Sequence, residues 1–435
     1  SCGATPCGWL REPRWITTET CLGASFAGFS PIRAAWAQGF SLNCPASREL
    51  IESSLSGTSP YPDPAPNWIQ HSMSLSCGIV GLPNVGKSTL FNALTAAGAE
   101  MGNFPFCTID PNMAIAEVPD DNIGRILSHV ETKKVIPAVV KVVDIAGLIA
   151  GASKGEGLGN KFLANIRETD AILHVVRCVG GMQVVREEPV EPKGDVEIID
   201  VELALADLDT VQKAVERVAK KARSGDKESM VQQALFERVV QMLESGQSLR
   251  AVEWTPVESE ALKPLCLLSA KPVLYVANVG DDDLAAEGDY ARAVADHAAA
   301  TGAEWIAICT DLESELRNMD AEDQQSFQED LGLTELGLPR LIRAAYSLLG
   351  LQTFYTVGPK ELRAWTIQAG WKGPEAAGVI HTDFNKGFIR AEVYSVDDLD
   401  ELGSEAAIKA AGRMRTEGRD YALAEGDVCH FLIGR

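Results

Sequence analysis

Short apolar stretches at residues 77–80, 139–143, 171–178, 272–277 and 306–309 punctuate the chain, bounded by Gly, Pro, Asn or Asp. They are too continuous for a strand with one wet face and predict strands of a mostly parallel sheet flanked by helices. Between residues 200 and 250 the pattern changes. Val201, Leu205, Leu208, Val211, Val215 and Val218 recur at helical steps, predicting one apolar stripe. A break at Ser224-Gly225-Asp226 precedes a second helical run over residues 230–243. The two runs predict an antiparallel hairpin, an insert of about residues 200–262 projecting from the sheet domain. Beyond residue 350 the runs are short and β-rich, at 353–357, 362–367, 388–394 and 427–433, with one helix near 404–413. That alternation predicts a small β-grasp domain over residues 350–435. No apolar run approaches the length that spans a bilayer.

Residues 1–72 differ from the rest. They hold four of the ten Cys and four of the eight Trp, no Lys, and the Pro-rich run 60–66, and they lack periodicity. Little fixed structure is expected there; the segment reads as a disordered or transit-like extension, although its five acidic residues are unusual for a transit peptide. Its cysteines are not spaced like a zinc site, and those beyond it are scattered singly, so reduced thiols are the default. The chain would then be cytoplasmic, or in a chloroplast or mitochondrion if the extension is an address. A net charge of −22 argues against general nucleic-acid binding. The hairpin is the exception: residues 210–250 carry eight Lys and Arg against five acids. Such a basic arm either meets RNA phosphates or is an ordinary solvated face.

Gly81-Leu-Pro-Asn-Val-Gly86-Lys87-Ser88-Thr89 follows the first apolar run and opens into Leu90-Phe-Asn-Ala-Leu94, a helix-forming stretch. This is the composition of a loop whose backbone N–H groups point at a polyphosphate. Asn84, Val85, Gly86, Lys87, Ser88 and Thr89 would cradle the phosphates, with Lys87 on the outer oxygens and Ser88 on Mg2+. Downstream, Asp144 ends an apolar strand and Gly147 follows three residues later; the first would support the metal and the second would contact a γ-phosphate. Thr108, between these elements, is the second candidate metal ligand. The Gly-rich run 148–159 reads as a mobile switch. A guanine-reading site presents Asn-Lys-x-Asp; here the run is Asn278-Val279-Gly280-Asp281, with the Lys replaced. Cys309-Thr310-Asp311 stands where Ser-Ala-Lys would be expected.

These residues closely resemble the Obg-like ATPases, the YchF family, from about Met73 to the C-terminus. The stretches that carry the resemblance are 77–94, Asn103-Phe-Pro-Phe-Cys-Thr108, Asp144-Ile-Ala-Gly-Leu148, 151–160, Asn165-Ile-Arg-Glu-Thr169, Arg363-Ala-Trp-Thr-Ile367 and 377–391. The resemblance implies an Obg-type G domain at residues 73–349 and a TGS domain at 350–435. It implies a GTPase-shaped protein that prefers ATP, with Asn278 and Val279 at the adenine and Val279 packing on it. Asp281 departs from the family's Glu, which leaves some GTP use open. Leu148 stands in place of a water-orienting Gln, and Arg186 stands about where the family keeps a loop His. An Arg is no general base at neutral pH. It would stabilise transition-state charge or be a plain loop residue, so slow intrinsic turnover is expected. His174 is expected in the core. The family's association with the ribosome extends the partners to ribosomal subunits, with rRNA met by the arm and by the TGS domain, where His381 and Lys386 lie near an expected exposed turn. Asn84 is also placed to hold K+. Two alternatives stay open: a GTP-specific GTPase, and a binding module that does not hydrolyse its nucleotide.

Overall fold

The computed structural model describes residues 75–96, 112–145, 158–180, 190–316 and 319–434, without side-chain placement for 158–161 and 321. All of them lie in one compact unit. Strand β1 (Ser76–Val80) leads through the Gly-rich loop into helix α1 (Lys87–Ala96), followed by β2 (Met113–Glu117), α2 (Asp121–Leu127), β3 (Val135–Ile136) and β4 (Val139–Asp144). Then come α3 (Leu158–Glu168), β5 (Ala171–Arg177) and the long α4 (Pro192–Ala222), which turns back through α5 (Lys227–Glu244). Strand β6 (Val273–Asn278), α6 (Asp289–Thr301), β7 (Glu304–Ile308), α7 (Thr310–Leu316) and α8 (Gly337–Leu348) complete the first layer set. Its sheet runs β2-β4-β1-β5-β6-β7, parallel except for the edge pair β2/β4. Every residue of β5 is buried, His174 and Arg177 included, as a strand in the middle of a sheet covered on both faces requires.

The helical arm begins earlier than the periodicity suggested. Pro192 occupies the first turn of α4, where a missing N–H costs nothing. The helix is about 46 Å long at 1.5 Å per residue, and it changes partners part-way. Val196, Ile199, Leu203 and Ala206 pack on the sheet, whereas Val211 and Ala214 pack on Leu235, Phe236 and Val239 of α5. The expected stripe is therefore corrected at its start: Val201 is 56% exposed and Leu205 43%. The sheet-facing half runs in a different phase from the arm-facing half. Between the helices Gly225 adopts φ +87°, and the Asp226 carboxylate caps α5 by accepting from the Ser229 N–H at 3.2 Å.

Strands β8 (Leu351–Val357), β9 (Leu362–Gln368), β10 (Phe388–Ser395), β11 (Arg415–Glu417) and β12 (Asp427–Ile433) come from the C-terminal region. With β3 they form a second sheet in the order β11-β10-β12-β8-β9-β3. Strand β3 does not come from that region: it adds to β9 in parallel from the connection between β2 and β4. Hence this sheet is not made from residues 350–435 alone. Tyr355 donates to Asp120 Oδ2 at 2.7 Å, and Arg125 of α2 pairs with Asp397 and Asp400. A helix is present at Glu405–Ala410, near the expected one. Helix α9 (Gly373–Ile380) packs on β9 and β10, α10 (Val396–Leu402) lies beside Glu405–Ala410, and a short helix Thr382–Gly387 stands between α9 and α10 in sequence. That short helix corrects the turn expected around His381 and Lys386: His381 caps it, Nδ1 accepting from the Asp383 N–H at 3.2 Å, and Lys386 sits in its last turn. Among the described residues no helix is long and apolar enough to cross a membrane, and all five cysteines are free thiols.

Candidate functional site: the phosphate-binding loop and its supports

The loop leaves β1 at the carboxyl edge of the parallel sheet, where ligands of such sheets collect. Asn84 and Gly86 take left-handed backbone, at φ +61° and +98°. At Gly86 a side chain is excluded twice, by its φ and by Asn278 Nδ2, which occupies the place of a Cβ. A Cβ on Gly81 would lie 2.5 Å from the Val175 carbonyl oxygen of β5. The loop is therefore held against its neighbours by backbone proximity. Helix α1 starts at Lys87, and the Leu90 N–H donates to Gly86 O at 2.9 Å.

Lys87 is buried, and its ammonium donates to Leu82 O at 2.6 Å within its own loop. Burial pulls its pKa below the usual lysine value, partly offset by the Asp144 carboxylate. The reverse holds for Asp144: burial raises it and Lys87 pulls it back. Asp144 ends β4 and, among the described residues, its half-buried carboxylate accepts no hydrogen bond. Ser88 is exposed in the first turn of α1, beside Thr89. An exposed hydroxyl and a carboxylate that accepts no hydrogen bond among the described residues, near the Lys87 ammonium, are a donor set that fits Mg2+, which takes few protein oxygens and completes its shell with phosphate and water.

The base-reading run is arranged differently from the expectation. Val279 is 2% exposed and belongs to the main core, its N–H donating to Ile308 O at 3.0 Å. Its side chain has no open face to lay on an adenine, which corrects that part of the expectation. Asn278 instead braces the loop. Its Nδ2 donates to Val85 O at 2.9 Å, and its Oδ1 accepts from the Thr310 N–H at 3.2 Å and Oγ1 at 3.1 Å. Thr310 is 1% exposed at the start of α7. Asp281 is exposed. The sequence carries no sign of the Thr310 role: the run 309–311 matches only the place of a base-reading motif, and a buried hydroxyl at the end of the neighbouring strand from Asn278 leaves no spacing signal. Gly147, Thr108, Arg186 and Leu148 lie outside the described residues.

His174 is buried in β5, its ring centroid 5.4 Å from that of Tyr275, and burial pushes its pKa down to about 4. The cluster continues to Asp200 of α4. Burial pushes that carboxyl up, but His297 and the Arg250 guanidinium outweigh it and bring it down to about 2.

Two relatives decide the family. A ribosome-binding ATPase YchF of Bacillus subtilis is 48% identical over 362 residues, covering 82% of this chain and 99% of the relative. One from Haemophilus influenzae is 49% identical over 360 residues, with the same coverage of 82% and 99%. The chain belongs to the YchF family. The YchF assignment agrees with two family models: one described as a 50S ribosome-binding GTPase matches residues 76–221, and the C-terminal YchF model, described as a protein of unknown function (DUF933), matches 351–434. The structure of the Schizosaccharomyces pombe YchF GTPase superposes with a TM-score of 0.76 at 37% identity, covering 82% of this chain and 98% of that one.

Proposed function

We propose that this YchF protein is a Mg2+-dependent nucleotidase that hydrolyses ATP in preference to GTP, and that its nucleotide state gates binding to the ribosome or a ribosomal subunit. The observation that carries the reading is the loop: Gly86 is irreplaceable and Lys87 is buried, with the Asp144 carboxylate acting on its charge, in a chain 48% identical to a ribosome-binding ATPase. P-loop nucleotidases use Mg2+ in general. Bound here, Mg2+ would supply neutralising charge to the phosphate oxygens. Ser88 and Thr108 are its candidate ligands and Asp144 its outer support.

Lys87 exchanges its bond to Leu82 O for the β and γ oxygens. The N–H groups of residues 84–89 orient the phosphates, and the Gly147 N–H senses the γ-phosphate. Arg186 offers positive charge to the transition state, and Asn84 a seat for K+. Catalysis is then positioning and charge stabilisation. Asn278 keeps the loop in shape from below, and the missing Lys at position 279 disfavours guanine. The arm and the C-terminal domain are the surfaces offered to ribosomal RNA. An organellar address in residues 1–72 belongs to the same reading, checked by whether a reporter fused to them enters chloroplasts or mitochondria.

A second reading, a GTP-specific GTPase, is favoured by one feature: Asp281 is exposed and of the residue type that pairs with the guanine edge. Dissociation constants for ATP and GTP with Mg2+ separate the two. ATP at least about tenfold tighter, about 1.4 kcal/mol, supports the ATPase. GTP equal or tighter overturns it and makes Asp281 the deciding residue.

A further inference from the structure

The run Arg363-Ala-Trp365-Thr-Ile367 has no part in the nucleotide site. On β9, Leu362 and Ala364 are buried in the main core, while Arg363 and Trp365 point to the other face. The Arg363 Cζ lies 3.9 Å over the Trp365 ring centroid. That ring is fixed from behind and from the side. It stacks on Phe354 at 6.4 Å between centroids and an interplanar angle of 13°, and its Nε1–H donates to Thr356 Oγ1 at 2.8 Å. Thr356 pairs with Arg363 across the strands and opens on a cavity of about 440 Å3 lined by Thr356, Val357, Gly358, Pro359, Lys360 and Glu361.

The guanidinium is half-buried yet, among the described residues, makes no hydrogen bond or ion pair. Burial lowers its pKa, and Glu361 is the one carboxylate that offsets this. Lys133, Lys134 and Lys360 are exposed and likewise unpaired among the described residues. The Leu362 N–H donates to Lys134 O at 2.9 Å, so the two lysines leading into β3 run along the same sheet edge. In a chain of net charge −22 this edge is a local reversal of sign. A cation with unused donors, held on an aromatic platform beside a cavity and flanked by lysines, combines the two elements that hold single-stranded nucleic acid: stacking for a base and cations for the backbone.

We propose that the β8–β9 turn, with Arg363, Trp365, Thr356 and Lys360, binds one or two nucleotides of single-stranded RNA. A base enters the cavity between Thr356 and Lys360, next to the Arg363–Trp365 pair, and the phosphates meet Arg363 and Lys360, with Lys133 and Lys134 extending the track. This rests on the ribosome-binding reading and names the surface that touches RNA.

The test uses the full chain in two assays: anisotropy with a labelled single-stranded RNA of roughly 12 nucleotides, and co-sedimentation with ribosomes. Arg363→Gln is expected to weaken RNA binding about tenfold and to lower the slope of log affinity on log salt by about 1. Lys360→Gln moves the same way but less, and Trp365→Phe, which keeps a ring, retains most binding. Thermal melts and ATP affinity close to those of the unmodified chain separate this from misfolding. Unchanged RNA affinity in Arg363→Gln overturns the proposal. So does loss of ribosome binding in that variant with RNA affinity intact, which makes the patch a protein contact and leaves the ribosome reading standing. RNA binding that depends on Arg363, in a chain that never sediments with ribosomes, supports the patch and sinks the ribosome reading.

Discussion

Thr310 holds Asn278 from two donors, and Asn278 in turn holds the Val85 carbonyl of the phosphate loop. Thr310→Val keeps the volume and leaves the Asn278 oxygen with one partner fewer. The oxygen keeps the Thr310 N–H, so the change removes one hydrogen bond, worth about 0.5–1.5 kcal/mol. The expected outcome is a lower urea midpoint and ATP affinity weakened several-fold, read by titration; unchanged affinity would mean the loop holds its shape without this support. His174 carries a pH dependence of definite sign. Its folded pKa of about 4 lies below the usual 6.5, so the unfolded chain binds a proton that the folded chain refuses. Stability is then lost as pH falls from about 6.5 to 4, by about 3 kcal/mol. Asp200, depressed to about 2, loses its contribution only below its usual 3.8. Replacing His174 with Gln is expected to flatten the urea stability curve between pH 4.5 and 6.5 relative to the unmodified chain. An equal slope in the two proteins rules this out. The role of Lys87 follows from the loop composition alone; the roles of Thr310 and His174 do not, because they depend on which strands lie side by side.

At the scale of elements, the arm is anchored by buried acids in α4 that its apolar periodicity cannot reveal. Asp207 is 1% exposed and accepts from the N–H groups of Leu268 and Ser269 at 2.9 and 2.7 Å, and from Ser269 Oγ at 2.6 Å. Close by, the Lys271 ammonium donates to the carbonyls of Arg167, at 3.1 Å, and Thr169 at the end of α3. A lysine at a helix C-terminus satisfies orphan carbonyls and opposes the helix dipole. Asp207→Ala strands three donors at once, and a loss of about 2–4 kcal/mol is expected in urea unfolding. A loss below about 0.5 kcal/mol would show that water replaces the carboxylate at no cost. The stripe misread at Val201 and Leu205 has the same origin. Periodicity reports that a helix has an apolar face, whereas the partner of each half of α4 is set by where the sheet ends.

For the whole molecule, the joint between the two sheets decides how the chain behaves when cut. Strand β3 completes the C-terminal sheet, and Tyr355 reaches Asp120 across the joint. The exposed Arg125–Asp397 pair adds little, since water and salt screen surface ion pairs. Removing residues 350–435 would strip Tyr355, Leu362, Ala364 and Leu399 from the shared core. Such a fragment is expected to be largely insoluble, or to melt well below the full chain, by differential scanning fluorimetry. A soluble fragment with an unshifted melting point would mean that the joint carries no stability.

The sequence by itself determined the phosphate loop, the order of the parallel strands' apolar runs, the hairpin turn at Gly225 and the family. These depend on local spacing and on residue types that few other environments demand. Only the tertiary structure decided that Val279 is core, that Asn278 supports the loop through Thr310, that Arg363 lies over Trp365, and that β3 belongs to the other sheet. Each of these is a contact between segments far apart in the chain, or a burial that such contacts create. Burial and hydrogen-bond satisfaction are properties of neighbours in space, and spacing along the chain does not encode them.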